Sequence, residues 1–178
     1  MEIVRREPRH KLRRIRLGRE GIFRDIDCLT FKLAETVVAE PEARDKVASD
    51  SEDSLDGALI TSFMDARAAQ LRKRLAFCLE CECTVSVDDG SDLEPDYEFR
   101  FRLPAAFKDA NLKVAAKKMH DYLVKGSVLD WYTQTGTGYG AALINEVLEL
   151  ESQIVDIFRV PGFVSHPGLS FIHSYKLR

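Results

Sequence analysis

The sequence predicts an α+β fold, mainly α, in which a four-helix core (two helices, a β-hairpin, two helices) carries extended arms at both ends. Three observations predict it. Apolar residues recur at helical spacings of three and four in four separate segments, the pattern switches to strict alternation across residues 81–103, and both chain ends lose any period. A length of 178 residues fits one domain over 1–178, with a basic arm at 1–20, a core at 22–158 and a tail at 159–178.

Residues 5–17 hold Leu12, Ile15 and Leu17 without a helical stripe, which reads as an arm or a short edge strand. Ile22, Ile26, Leu29, Leu33 and Val37 then form an amphipathic helix that Pro41 ends. Residues 40–53 are polar and loop-like. Asp53 followed by Asp56 offers a capping start to a helix reaching about Leu79. On it Ile60, Met64, Ala68, Leu71, Leu75 and Leu79 form one apolar stripe, with Leu55, Leu59, Phe63 and Ala66 beside it. A face that wide predicts a central helix covered on two sides. Arg67, Arg72, Lys73 and Arg74 make its polar side basic.

Cys81, Cys83, Val85 and Val87 alternate with polar residues, as do Tyr97, Phe99, Phe101 and Leu103. Joined by residues 88–96, which contain Gly90 and Pro95, they read as a long hairpin with one apolar face and acids opposite arginines on the other. Pro104 suits the first turn of a third helix, marked by Leu112, Ala115, Met119, Tyr122, Leu129 and Tyr132 and reaching Gln134. Gly126 inside it costs about 1 kcal/mol against alanine unless another backbone packs there. After Thr135–Gly140, Leu143, Val147, Leu150, Ile154 and Ile157 make a narrow seam for a partner helix, in this chain or in another copy. From Pro161 the chain cannot be helical, and the tail carries Phe163, Phe171, Ile172 and Tyr175.

The 45% apolar and 31% charged residues support a packed core with a polar surface. No apolar run is long enough to cross a bilayer, the N-terminus lacks the apolar stretch of a signal peptide, and four cysteines suit a reducing compartment. The net charge of −3 hides an asymmetry: residues 1–20 hold eight bases against three acids, and residues 80–98 hold eight acids and no base. The arm can neutralise phosphates, dock on the acidic block of another copy, or remain a solvated terminus.

No constellation supplies catalysis. Cys78, Cys81 and Cys83 make a C-x-x-C-x-C cluster that lacks a fourth zinc ligand, and buried cysteine as a small hydrophobe is the competing reading. Residues 136–140 follow a helix and match no phosphate loop, and residues 88–92 lack calcium-loop spacing. His120 and Asp121 are adjacent on a helix and diverge by about 100°. The expectation is a non-enzyme with no cofactor and no metal. Its candidate interaction surface is Arg13, Arg14, Arg16, Arg72, Arg74, Phe163, Phe171 and Tyr175. The alternative is an intracellular nucleic-acid-associated protein using the basic arm, although a pI of 5.9 and an arm without interleaved aromatics argue against a dedicated reader.

Three segments carry a resemblance: Asp53-Ser-Leu-Asp-Gly-Ala-Leu-Ile-Thr-Ser-Phe-Met-Asp-Ala-Arg67, then Leu103-Pro104-Ala-Ala-Phe-Lys-Asp-Ala110, then Met119-His-Asp-Tyr122. In this order of elements the chain resembles the head–tail connector (head-completion or adaptor) proteins of tailed bacteriophages and prophages. The resemblance spans roughly residues 53–132. It implies a non-enzymatic subunit of a ring between portal and tail, in a virion assembling in the cytoplasm. Its partners would be copies of itself and portal-side or tail-side proteins; apart from the resemblance, the basic arm and the basic face at Arg67–Arg74 suit non-specific DNA backbone contact, and no membrane partner is expected. The basic N-terminal extension, the long hairpin loop and the tail after Pro161 depart from the family pattern and would also suit a tail-completion or other prophage structural protein.

Overall fold

A computed structural model describes residues 10–37, 48–49, 54–80, 96–136 and 139–159. Strand β1 (His10–Leu17) leads into helix α1 (Arg19–Val37) and α2 (Ser54–Arg74); β2 (Tyr97–Pro104) leads into α3 (Asp109–Gln134), a 3₁₀ turn (Tyr139–Ala142) and α4 (Leu143–Phe158). The fold is α+β and mainly α, as the periodicities predict.

β2 alternates as expected, burying Tyr97, Phe99, Phe101 and Leu103. Its ladder partner is β1, antiparallel, from His10 opposite Pro104 to Leu17 opposite Tyr97. Residues 10–17 of the expected arm are therefore a strand, because Ile15 and Leu17 bury their side chains beside Phe99 and Tyr97. The other edge of β2 meets the end of the α2 segment. Leu79 bridges Phe101, Glu80 N–H donates to Arg100 C=O at 2.9 Å, and Arg102 N–H donates to Cys78 C=O at 2.9 Å. The first strand and loop of the expected hairpin at 81–103, residues 81–95, lie outside the described residues, as do residues 1–9 and the tail from Val160.

α1 buries Ile22, Ile26, Thr30 and Ala34, with Leu29 and Leu33 alongside. α2 buries the first predicted stripe, Ile60 to Leu75, but of the second Leu55 is 79% exposed and Ala66 is exposed. The central helix is instead α3, which touches α1, α2, α4 and β1. Its small residues Gly126 and Ser127 are buried with Tyr122, Leu123, Val124, Val128, Trp131 and Tyr132, so neighbours approach it from several sides. The seam of α4 (Leu143, Val147, Ile154, Phe158) packs on α3 of the same chain. α3 starts at Asp109 rather than at Pro104. Pro104 ends the strand, its carbonyl accepts Phe107 N–H at 2.9 Å, and Phe107 turns inward to stack on Phe158. Phe158 in turn stacks on Phe101 at 4.5 Å, joining the sheet to the end of α4.

Candidate interaction surface

Strand alternation sets which arginines face outward. Arg14 and Arg16 of β1 share the sheet's outer face with Arg100 and Arg102 of β2. Arg14 lies directly opposite Arg100. Like charges so placed repel. Glu98 sits between them, 2.5 Å from Arg100 Nε and 3.7 Å from Arg14 Nη1. The Arg100 hydrogen bond, reinforced by Arg14 and Arg16, holds the Glu98 carboxyl below its ordinary range. Arg16 pairs with Asp96 at 2.6 Å. The sequence offers the arm the acidic block of another copy; for Asp96 and Glu98 the pairing is instead within one chain.

The other predicted residues diverge. Arg13 reaches Asp109 in the first turn of α3 at 2.9 Å. Arg72 lies 4.9 Å over the Phe99 ring and donates to Glu98 C=O at 3.3 Å. Arg74 pairs with Glu151 of α4, a buried carboxylate that also accepts from Gln70 Nε2 at 3.3 Å. Phe163, Phe171 and Tyr175 lie outside the described residues. Beside the Arg74–Glu151 pair an open groove of about 880 Å³ runs between α2 and α4, lined by Lys73 and Arg74 on one side and Leu148, Ser152, Val155 and Asp156 on the other. Leu148 is 59% exposed, and Ile144, one turn earlier, is 46% exposed.

Arg67, expected on the basic polar face, instead turns into the bundle. Its guanidinium makes two parallel 2.7 Å bonds to the carboxylate of Asp130 on α3. Gly126 makes this geometry fit, since a Cβ there would lie 2.9 Å from Arg67 Cδ. What packs on Gly126 is a charged side chain rather than another backbone. A glycine one helical turn before an aspartate was the signal in the sequence that could have found it. Burial works against the Arg67 charge, yet the Asp130 partner leaves its pKa raised. Burial also raises the Tyr122 phenol, while the neighbouring Arg67 guanidinium pulls it down without meeting the phenol in good hydrogen-bond geometry.

Two further polar clusters were not legible. Arg19 donates to Asp65 at 3.0 Å, Tyr97 Oη donates to the same oxygen at 2.6 Å, and the Arg19 guanidinium lies 5.1 Å from the Tyr97 ring centre. Burial first, then the Asp65 bond, pushes the Tyr97 phenol up. At Ser49 the backbone N–H donates to Thr30 Oγ1 at 3.1 Å and the hydroxyl donates to Asp27 at 3.0 Å, while Tyr132 Oη donates to Thr30 C=O at 3.0 Å.

The chemistry-bearing types are dispersed. Cys78 is buried, donates to Leu75 C=O, and has its thiol pushed up to about 12 by burial; Cys28 is exposed, and Cys81 and Cys83 lie outside the described residues. His120 pairs with Asp25 of α1 at 2.8 Å rather than with Asp121. Among the described residues no three histidines, cysteines or carboxylates gather as metal ligands would, and no helix is long and apolar enough to cross a membrane. No family model matches the chain, and no curated protein or solved structure matches it either.

Proposed function

We propose that this chain is a non-enzymatic structural protein of a phage or prophage particle, a self-assembling subunit of the head–tail connector or adaptor kind. The observation that carries the reading is the meeting of its three resembling segments in one core: Ile60 and Met64, Leu103 and Phe107, and Met119 and Tyr122 belong to a single apolar cluster. The charged side chains support a structural role as well, since they are spent on ties between elements, Arg67 to Asp130, Arg74 to Glu151 and Arg13 to Asp109. Exposed Ile144 and Leu148 beside the α2–α4 groove give a neighbouring copy an apolar strip to cover.

The test is the solution mass by light scattering over a wide concentration range, with negative-stain images of the same sample. A defined oligomer, ring-shaped in the images, is expected, and Leu148→Glu is expected to lower its mass. A monomer at every concentration refutes the self-assembling subunit.

A further inference from the structure

The strip beside the α2–α4 groove has a definite length and charge. Ile144, Leu148 and Val155 stand on one line of α4 and span about 16 Å of its axis. Ile144 and Leu148 are exposed and Val155 is half-buried. α4 carries four carboxylates, Glu146, Glu149, Glu151 and Asp156, and no base. Glu146 and Glu151 are tied to Lys125 and Arg74, whereas Glu149 and Asp156 are exposed. A second α4 laid on the strip would set these acids against their own copies, a like-charge arrangement that opposes association. The occupant has to bring apolar side chains together with bases. One segment of the chain has that composition. Residues 157–178 are its longest run without Asp or Glu, and they end in Lys176-Leu177-Arg178. Leu169, Phe171, Tyr175 and Leu177 share one parity with His173; Ser170, Ser174, Lys176 and Arg178 share the other with Ile172. An extended segment so patterned has one mainly apolar side. Residues 169–177, extended, reach about 30 Å and so outrun the strip, and residues 160–168 supply a lead of similar length. Arg159, from which this segment departs, itself lines the groove.

We infer that the α2–α4 groove seats residues 160–178 of a neighbouring copy. Their apolar side covers Ile144, Leu148 and Val155, and Lys176 and Arg178 lie on the α4 side, beside Glu149 and Asp156 and away from Lys73. The inference deepens the subunit reading and rests on it, by naming the element with which a neighbour covers the strip. A tail lying on its own α4 would leave no strip to share. Exchange of a terminal segment runs head to tail: each copy gives one tail and receives one, a heterologous contact of the kind that closes into a ring.

The test places the photo-reactive residue benzoylphenylalanine at position 148 of the full chain. Isotope-labelled and unlabelled protein are mixed dilute in equal amounts, concentrated and irradiated, and the mass of the same sample is read by light scattering. The expected cross-links join α4 to residues 160–178, and they connect labelled to unlabelled chains as often as like to like. Phe171→Asp/Tyr175→Asp in the same chain should abolish these cross-links and lower the mass, with the circular dichroism of the core unchanged. Cross-links to residues 160–178 confined to like chains show a tail on its own α4 and overturn the exchange. An assembly that forms with its cross-links elsewhere, or that survives the tail substitutions, overturns the seat and leaves the subunit reading standing. A single-chain mass at every concentration ends both.

Discussion

Replacing Gly126 with alanine sets two opposed effects against each other at the centre of the molecule. On helix propensity alone, Gly126→Ala in α3 gains about 1 kcal/mol. The new methyl would stand 2.9 Å from Arg67 Cδ and 3.0 Å from Arg67 Nε, nearer than such carbons settle. Relief requires the Arg67 side chain to swing aside, which breaks both bonds to Asp130. The two side chains are only 15% and 28% exposed, so water replaces the lost bonds poorly. Charge-assisted hydrogen bonds of this kind contribute about 1.5–3 kcal/mol. The loss exceeds the gain, and Gly126→Ala is expected to destabilise the protein by about 0.5–2 kcal/mol, a fall in Tm of about 1–8 °C. Urea unfolding followed by far-ultraviolet circular dichroism measures it. In an Arg67→Ala background the obstacle is gone, and the same alanine should stabilise by about 1 kcal/mol. A stabilising Gly126→Ala in the otherwise intact protein refutes the account.

Tyr122→Phe removes a buried hydroxyl that meets the Arg67 guanidinium without good hydrogen-bond geometry, so equilibrium unfolding should change by less than about 1 kcal/mol; a larger loss would show that Arg67 satisfies the hydroxyl. Ser49→Ala deletes the hydroxyl's bonds to Asp27 and to Thr30 Oγ1 and should cost about 1–2 kcal/mol, read by the same unfolding measurement. The Cys78 thiol, raised from 9.0 to about 12 in the fold, contributes stability that is complete below about pH 9 and is lost as pH climbs toward 12, because the unfolded chain ionises first. Residue-resolved alkylation at mildly alkaline pH should therefore modify exposed Cys28 at once and Cys78 only after unfolding.

The helices and β2 were legible because each carries its own period: the buried stripe Ile60–Met64–Ala68–Leu71–Leu75 and the alternation Tyr97–Phe99–Phe101–Leu103 are local facts of the chain. The strand at His10–Leu17 was half legible. Only Ile15 and Leu17 alternate as buried apolar residues, four bases (Lys11, Arg13, Arg14 and Arg16) occupy positions 10–17 alongside them, and the partner strand lies about 80 residues away. The promotion of α3 over α2 to the centre was hidden for a related reason: Gly126 and Ser127 register as weak positions in a helical pattern, whereas in three dimensions their small size is what admits neighbours. Arg67 could be placed on a polar face by its spacing, but its partner Asp130 belongs to a helix 63 residues further on. Of the candidate surface, the alternation of β1 and β2 was enough to put Arg14 and Arg16 outward, and only strand pairing could add Arg100 and Arg102 to them.

The distant pairing of β1 also shapes how the protein is made. β1 leaves the ribosome before any other described element, and β2 follows only after about 80 more residues, roughly 4–16 s of synthesis at ordinary rates. Through that interval Ile15 and Leu17 have no sheet to enter, and an unpaired strand is the feature most prone to join another nascent chain. Charged side chains along a strand discourage such pairing. The arginines that flank Ile15 and Leu17 therefore act before the fold exists, as electrostatic guards that keep the first strand single until its own partner emerges.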